Sequence, residues 1–313
     1  MLGVDLATRP SAALGWWPAD ATSAADFVTG RYMRGGAHVA GGAAFAYSRT
    51  GAGWATDSAG AVHAFGDGDM RLVDRGLCLE QARTRLSFAP LAIGASPWTA
   101  MGATVLAVLG ADGAFPSPCR IGSDGTLFAR RNSGPMELAT GQTVRIKVRY
   151  RAGTSGQFGI YMQTGGTASL FQGPVGNLVA TTTSAGGWAD ATNTDLGDGL
   201  HEVEADFIAG ASETNWMLGV SPRSDTFGQY VDVLGAMVAD GGGTTEWIFG
   251  DPGAAVTREA DQLEIHLPAG THDLTLGFDD AADQAMEGLS GDVSLDPAAL
   301  GGRFLRSCVA RAA

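Results

Sequence analysis

The clearest pattern along the chain is a strict alternation of apolar and polar side chains, the periodicity of a β-strand with one buried face. Residues 144–151 place four apolar side chains on one face and four cations on the other. Residues 202–207 alternate in the same way and carry three acids on the polar face. Similar signals recur between residues 98 and 243, separated by turns rich in Gly, Asn and Asp. We therefore predict an all-β fold, an antiparallel β-sandwich flanked by smaller N- and C-terminal β elements.

The polar faces of these two strands carry charges of opposite sign. The cations are Arg145, Lys147, Arg149 and Arg151, and the acids are Glu202, Glu204 and Asp206. Opposite charges that face each other across a strand pair contribute about 0.2–1 kcal/mol each, whereas adjacent cations repel. We therefore predict that the two strands are neighbours on a solvated face. Binding of an acidic polysaccharide is the other use that such a stripe of cations would have.

Two further strands are expected to present a polar aromatic face. In residues 157–163 and 229–237, apolar positions alternate with tyrosine, glutamine and aspartate. Sugar binding needs an aromatic ring for the apolar side of a pyranose and amides or carboxylates for its hydroxyls. Packing in the core is the competing interpretation for each aromatic. The candidate carbohydrate-binding residues are Tyr161, Gln163, Trp188, Tyr230 and Asp232.

Shorter alternating runs lie on both sides of the predicted sandwich. Residues 43–47, 53–56 and 62–65 indicate short strands between glycine-rich turns. Residues 262–267 and 272–278 each alternate, with a turn between them, and predict a β-hairpin with one buried face. The tail from residue 279 is predicted to be a short packing segment.

Composition excludes several classes of protein. The chain has 313 residues, 45% of them hydrophobic and 17% charged, so it is neither disordered nor collagen-like. Its net charge is −13, and Lys147 is its one lysine, which opposes binding to nucleic acid. The three cysteines, Cys78, Cys119 and Cys308, lack metal or disulfide spacing and are expected to be buried, reduced thiols. Without a signal peptide or a long apolar run, secretion and membrane insertion are not expected.

Catalytic motifs are weak in this sequence. The five histidines are scattered, and no HExxH or GxSxG pattern occurs. The acids of residues 202–206 resemble a solvated stripe more than the opposed pair that a glycosidase needs. We therefore expect a non-enzymatic protein without a cofactor. A structural calcium ion is a weaker expectation. It rests on four oxygen-bearing side chains in a loop that ends in glycine: Asp190, Asn193, Asp195 and Asp198. A plain Asx-rich turn without an ion is the competing interpretation.

Three separated blocks of sequence carry a more specific signal. The first, residues 47–60, reads YSRTGAGWATDSAG; the second, residues 72–88, reads LVDRGLCLEQARTRLSF; the third, residues 249–261, reads FGDPGAAVTREAD. Glu80 of the second block is surrounded in sequence by Arg75, Arg83 and Arg85 of the same block and by Arg71, which immediately precedes that block. The order and separation of these blocks resemble a framework found in virion appendage proteins of tailed bacteriophages, prophages and gene transfer agents.

The resemblance implies a jelly-roll sandwich similar to carbohydrate-binding modules. It implies a head spike or tail fibre component on the virion surface, assembled in the bacterial cytoplasm, that binds host capsular or surface polysaccharide. Its partners would be other virion proteins and copies of itself, in a trimer or pentamer. Two alternatives stay open, a purely structural adaptor that seats another fibre and, with less support, a capsule-degrading glycosidase.

In this interpretation the chain has four consecutive segments. Residues 1–40 are an attachment segment in which Trp16 and Trp17 dock on the next domain, on the virion or on a sister subunit. Residues 41–95 form a small β element, residues 96–243 the sandwich and residues 244–313 the C-terminal hairpin region.

Overall fold

The computed structural model describes residues 17–87, 91–181, 185–250 and 255–313. Trp16 and the Asp-Pro-Gly of the third block lie outside these residues. Within them the chain is almost entirely β, so the all-β prediction is confirmed; the one helix, α1 (Gly41–Ala44), is a single turn. No described helix is long and apolar enough to cross a membrane.

The first fourteen strands are β1 (Ala21–Asp26), β2 (Arg31–Arg34), β3 (Ala37–Val39), β4 (Phe45–Ser48), β5 (Gly53–Thr56), β6 (Val62–Phe65), β7 (Leu72–Val73), β8 (Gly76–Cys78), β9 (Arg83–Arg85), β10 (Thr99–Met101), β11 (Ala103–Val108), β12 (Cys119–Ser123), β13 (Arg130–Asn132) and β14 (Met136–Leu138). The others are β15 (Thr143–Arg151), β16 (Gln157–Thr164), β17 (Thr167–Pro174), β18 (Val179–Thr181), β19 (Gly186–Gly197), β20 (Leu200–Ala209), β21 (Glu213–Ser221), β22 (Tyr230–Asp240), β23 (Val256–Arg258), β24 (Gln262–His266), β25 (His272–Phe278), β26 (Gln284–Leu289), β27 (Asp292–Leu295) and β28 (Phe304–Ala312).

The chain divides into two compact units whose segments interleave along the sequence. Unit 1 takes its described residues from Met1–Arg49, Gly68–Gln81 and Ala260–Ala313, and unit 2 takes its own from Thr50–Asp67 and Ala82–Glu259. This division differs from the four consecutive segments predicted, because the second and the fourth of those each contribute to both units.

Unit 1 has two sheets that share one core. Its larger sheet has the order β26-β25-β28-β1-β2-β3, with β8 on β28 and β7 on β8, and its smaller sheet is β27-β24-β4. The residues predicted as an attachment segment thus supply β1 to β3, and the predicted packing tail supplies β28, which lies between β25 and β1. Apolar side chains from both sheets form the core, including Phe27, Phe45, Leu263, Leu276 and Leu305.

The predicted hairpin of unit 1 is wrong in its pairing and right in its buried face. β24 pairs with β4 and β27, whereas β25 pairs with β26 and β28, so the two strands belong to different sheets. The alternating apolar side chains of both strands nevertheless point into the shared core. The turn between the strands therefore carries the chain from one sheet to the other.

Unit 2 contains an antiparallel β-sandwich, the architecture that the sequence predicts. Sandwich sheet I has the order β10-β13-β21-β16-β17-β18, with β14 on β21. Sandwich sheet II has the order β11-β12-β22-β15-β20-β19, with β9 on β22 and β23 on β9. The main core lies between the sheets and includes Ile146, Val148, Phe158, Phe207 and Trp216.

The two oppositely charged strands are neighbours, as predicted. In the register of β15 with β20, Arg145 faces Asp206, Lys147 faces Glu204 and Arg149 faces Glu202. The side chains form close ion pairs, such as Lys147 Nζ to Glu204 Oε1 at 2.8 Å. Charge complementarity in the sequence therefore identified the correct pairing.

The prediction of a solvated face for this stripe is wrong. Lys147 is 1% exposed and Glu202 is 8% exposed. A second apolar cluster covers this side of sandwich sheet II: Trp247 Nε1 donates to Glu202 Oε2 at 3.1 Å, and the guanidinium of Arg149 lies 5.1 Å from the ring centroid of Phe115. The inner cations of the stripe are therefore not open to an acidic polysaccharide.

Candidate functional site

The outer face of sandwich sheet I presents two of the predicted sugar-binding residues. On β16, Phe158, Ile160 and Met162 point into the core, so Tyr161 and Gln163 point away from it. Tyr161 is nevertheless only 2% exposed, because other side chains cover its ring.

Two glycines make room around this tyrosine. Gly159 precedes Tyr161 by two residues on the same face of β16, and Gly219 of β21 is its direct pairing partner. A Cβ at Gly159 would lie 2.6 Å from Cγ of Arg223, and one at Gly219 would lie 2.8 Å from Oδ1 of Asn132. A side chain at either position would displace these neighbours, so glycine permits the close approach.

Two arginines occupy that space. The guanidinium carbon of Arg130 lies 4.8 Å from the centroid of the Tyr161 ring, within the range of a cation–π contact. Arg223 Nη1 donates to the Tyr161 hydroxyl at 2.9 Å and to the Leu127 carbonyl at 3.0 Å. Arg130 also donates to Gln163 Oε1, and through Nε to Asn132 Oδ1 at 3.2 Å. We call Arg130, Asn132, Tyr161, Gln163 and Arg223 the arginine–tyrosine cluster.

A cleft of about 420 Å³ opens beside this cluster. Arg130, Asn132 and Gln163 line it on one side, and the β16–β17 turn lines it on another. Met101, which is 53% exposed, contributes an apolar wall. Among the described residues that line the cleft there is no carboxylate. The cleft thus combines amide and guanidinium groups with exposed apolar surface.

Phe128 adds an exposed ring to the surroundings of the cluster. It is 60% exposed, its carbonyl accepts a hydrogen bond from Arg130 Nη1 at 3.1 Å, and the guanidinium of Arg223 lies 5.3 Å from its ring centroid. Sequence reasoning missed Phe128 and both arginines, because all three lie outside the alternating strand runs. Gly159 and Gly219 were the available signal, since glycine inside a strand often marks a close approach.

Tyr230 and Asp232 lie on a different sheet from Tyr161. They belong to β22 of sandwich sheet II, where Arg120 holds both. Arg120 Nε contacts Asp232 Oδ1 at 2.7 Å, and its guanidinium carbon lies 3.8 Å from the Tyr230 ring centroid. The predicted sugar-binding residues are therefore not brought together on one face.

Trp188 packs at the edge of the sandwich core. Its ring centroid lies 5.5 Å from that of Phe171 and 5.2 Å from that of Phe207, so it contacts side chains of both sandwich sheets. These contacts favour packing, the competing interpretation that the sequence left open.

The residues of the predicted calcium loop are spread along a strand pair. Asp190, Asn193 and Asp195 belong to β19, so the expectation of a loop is wrong, and Asp198 lies in the following turn. The Asn193 amide bonds the backbone of Leu178, and Asp195 Oδ1 accepts from the amide of Gly197. The one group of three acid, cysteine or histidine side chains close enough to share an ion, among the described residues, is in unit 1: Glu264, His266 and Asp292.

A second charged cluster lies in unit 1 and joins the three sequence blocks described above. Arg71 binds both Glu80 and Asp261, with Nη1 2.7 Å from Glu80 Oε2. The Glu80 amide donates to Asp261 Oδ2 at 2.7 Å, and the Tyr47 hydroxyl donates to Asp261 Oδ1 at 2.6 Å. Arg49 of the first block lies 3.9 Å from the same oxygen.

The chemistry of this unit 1 cluster is that of a buried ion-pair network. Burial opposes the charge of Arg71, but Cys78, Glu80 and Asp261 outweigh it and raise the pKa of Arg71. Burial, reinforced by Asp261, raises the pKa of Tyr47. Because both carboxylates bind the same guanidinium, neither is placed as the opposed acid of a glycosidase. We therefore assign the cluster to stability.

Comparison with known proteins finds neither a family model that matches the sequence nor a curated relative.

Proposed function

We propose that this protein is a virion appendage, a head spike or tail fibre component, that attaches the particle to a host cell by binding surface polysaccharide. The cleft beside the arginine–tyrosine cluster carries the proposal, because it joins polar donors and acceptors to apolar surface on a rigid sheet. The resemblance of the three sequence blocks to appendage proteins supports the biological setting.

Each side of the cleft has a separate role in this proposal. Asn132, Gln163 and Thr164 supply donors and acceptors for sugar hydroxyls. Met101 and Met217 in the cleft supply the apolar contact that the less polar side of a pyranose needs, and Phe128 adds an exposed ring beside the cluster. Because no acid is among the described residues that line the cleft, this site supports binding rather than glycoside hydrolysis.

Multivalency follows from the same proposal. A cleft of this kind binds one or two sugar residues weakly, and repetition in a homo-oligomer, a trimer or pentamer, converts weak sites into useful avidity. The other partners are neighbouring virion proteins, and the site of action is the surface of the particle.

A structural adaptor is the second candidate function. Phe227 is 80% exposed and Val108 is 65% exposed, and apolar side chains at such exposure are typical of protein interfaces when they form a patch. In an adaptor these side chains would contact another virion protein, and the cleft would bind no sugar.

Binding to capsulated cells and to isogenic cells without capsule distinguishes the two. We expect capsule-dependent binding that Gln163→Ala weakens. Gln157→Ala is the matched control, since Gln157 is an exposed residue of the same type on the same face of β16 but outside the cleft. Equal binding to both strains, or equal loss in both variants, would contradict the proposal and favour the adaptor.

A further inference from the structure

The two arginines of the cluster have no acidic partner among the described residues. Arg130 donates to Asn132 Oδ1, the Phe128 carbonyl and Gln163 Oε1, which are all neutral acceptors. Arg223 uses Nη1 for the Tyr161 hydroxyl and the Leu127 carbonyl. Its Nε and Nη2 have no hydrogen-bond partner within the described part of the chain. Neutral acceptors leave both positive charges uncompensated.

Arg131 of unit 2 shares this lack of compensation, since it donates to the carbonyls of Ile93 and Trp98, whereas other arginines of the unit bind carboxylates. Arg120 has a bidentate contact with Asp232, and Arg145 contacts Glu204 and Asp206. The chain as a whole carries a net charge of −13, so acids are abundant. Position sets Arg130 and Arg223 apart: Arg130 lines the cleft and Arg223 bonds the neighbouring Tyr161 hydroxyl, so both are placed to meet an anion that arrives from outside.

The backbone and its neighbours hold Arg223 in place before any ligand arrives. Arg223 has a φ of 46°, in the left-handed region that non-glycine residues rarely adopt. Its amide donates to Ser221 Oγ at 3.0 Å, and its side chain lies across Gly159. Strained backbone that is held by several contacts is a recurrent feature of binding sites, because it positions a side chain in advance.

We infer that the arginine–tyrosine cluster selects an acidic saccharide, with one carboxylate or sulfate group paired to Arg130 in the cleft and the next acidic group along the saccharide paired to Arg223 beside the cleft. Arginine suits this role because its planar fork binds the two oxygens of such groups together. A polysaccharide that follows β16 passes Gln163 and Arg130 and then Arg223, with Tyr161 between the two arginines. The inference rests on the proposed function and specifies the class of its ligand.

The lining of the cleft favours a saccharide over nucleic acid as the source of the anion. An acidic polysaccharide pairs its charged groups with the two arginines and also presents hydroxyls and apolar ring faces to the amides and the apolar wall of the cleft.

The test uses four polysaccharides and one nucleic acid as probes. Polygalacturonate supplies carboxylates and dextran sulfate supplies sulfates, while carboxyl-reduced polygalacturonate, dextran and duplex DNA serve as comparisons. Binding to each is measured for the unchanged protein, Arg130→Gln, Arg223→Gln, Arg223→Lys and Arg151→Gln. Arg151 is the matched control, because it lies on unit 2 away from the cleft in a half-exposed pair with Asp112. Circular dichroism verifies that each variant is folded.

We expect one or both acidic polysaccharides to bind and the neutral polysaccharides to bind at least about tenfold more weakly. A tenfold loss of affinity is what the loss of one charge-assisted hydrogen bond would cause. Arg130→Gln and Arg223→Gln lose that preference, Arg223→Lys retains part of it, and Arg151→Gln keeps it. The inference would be overturned if neither acidic polysaccharide bound more tightly than its neutral counterpart, or if DNA were preferred.

The outcome on cells separates this inference from the proposed function. Capsule-dependent binding that is unaffected by either arginine substitution leaves the proposed function standing and rejects the acidic ligand. Arginine-dependent binding of polygalacturonate without capsule dependence on cells retains the anion site and rejects the proposed function.

Discussion

Gly219 lies directly across from Tyr161 in the pairing of β21 with β16, and Asn132 and Arg130 occupy the space that its missing side chain leaves. We expect Gly219→Val to displace these two side chains and to weaken polysaccharide binding. Overpacking of this kind costs about 1–3 kcal/mol of unfolding free energy.

Gly187→Val is the matched control for this substitution. Gly187 also lies in a strand of unit 2, but a Cβ there meets no atom within 4 Å. Chemical denaturation and the polysaccharide binding assay are measured on both variants. Unchanged binding in Gly219→Val would contradict the expectation that the space beside Gly219 is required to position Arg130 and Asn132 for polysaccharide binding.

The buried network of unit 1 predicts a large loss of stability when its central cation is removed. Arg71→Met leaves Glu80 and Asp261 buried without their shared partner, and breaking a buried ion pair in this way costs about 3–5 kcal/mol. Urea denaturation measures the change.

Asp20→Asn is the control for the network, because Asp20 forms an exposed pair with Arg311 whose expected contribution is about 0–1 kcal/mol. Equal costs for the two substitutions would contradict the central role of Arg71. The double variant Arg71→Met with Asp261→Leu is expected to recover part of the lost stability, because it also removes one unpaired buried carboxylate.

Acid is expected to destabilise unit 2 through Glu202. Burial alone would raise the pKa of Glu202, but Lys147 and Arg149 outweigh it and hold that pKa below its ordinary value of 4.5. A carboxyl whose pKa is lower in the folded state contributes stability above its unfolded pKa and loses it as the pH falls through the folded value.

The pH dependence of Glu202→Gln isolates this contribution. Urea midpoints measured from pH 7 to pH 2 should fall below about pH 4.5 in the unchanged protein. The urea midpoint of Glu202→Gln should be lower than that of the unchanged protein at pH 7 and should fall less steeply below about pH 4.5. Parallel curves for the two proteins would show that Glu202 is not the group responsible.

The cysteines are expected to resist thiol reagents while the protein is folded. Cys78, Cys119 and Cys308 are buried and form no disulfide among the described residues, which confirms the sequence expectation of buried thiols. Burial raises the pKa of Cys119 to about 11 and that of Cys308 to about 12, and the thiolate is the reactive form. A chromogenic disulfide reagent at pH 8 should label the native protein slowly and all three thiols rapidly in guanidinium chloride. Rapid labelling of a native thiol would reveal local opening at that strand.

Alternation in the sequence was enough to predict strands and their buried faces but not what covers the other face. The stripe of β15 and β20 illustrates the limit. Its charges identified the partner strand, because opposite charges across a pair stabilise each other. Its burial depends on Trp247 and Phe115, which lie far away in sequence and carry no periodic signal.

The candidate site was predictable to a similar extent. Alternation placed Tyr161 and Gln163 on the outer face of one sheet, and the structure brings them together. The arginines that complete the cluster come from a short strand and a turn, whose positions depend on the three-dimensional packing of unit 2. Three-dimensional packing also decides which strands pair with β24 and β25. The sequence predicted both strands correctly but paired them with each other, whereas in the structure they lie in different sheets.

Because the segments of the two units interleave along the sequence, the strands of unit 1 leave the ribosome at widely separated times. All of unit 2 has been made before β24 emerges, whereas β1 has to wait for β28, its neighbour in the finished sheet. Because domains fold as they emerge, the sandwich is expected to be complete while β1 still exposes one unpaired edge. A nascent chain paused before residue 260 would therefore present a folded sandwich together with an open strand edge, the place where chaperones would be needed.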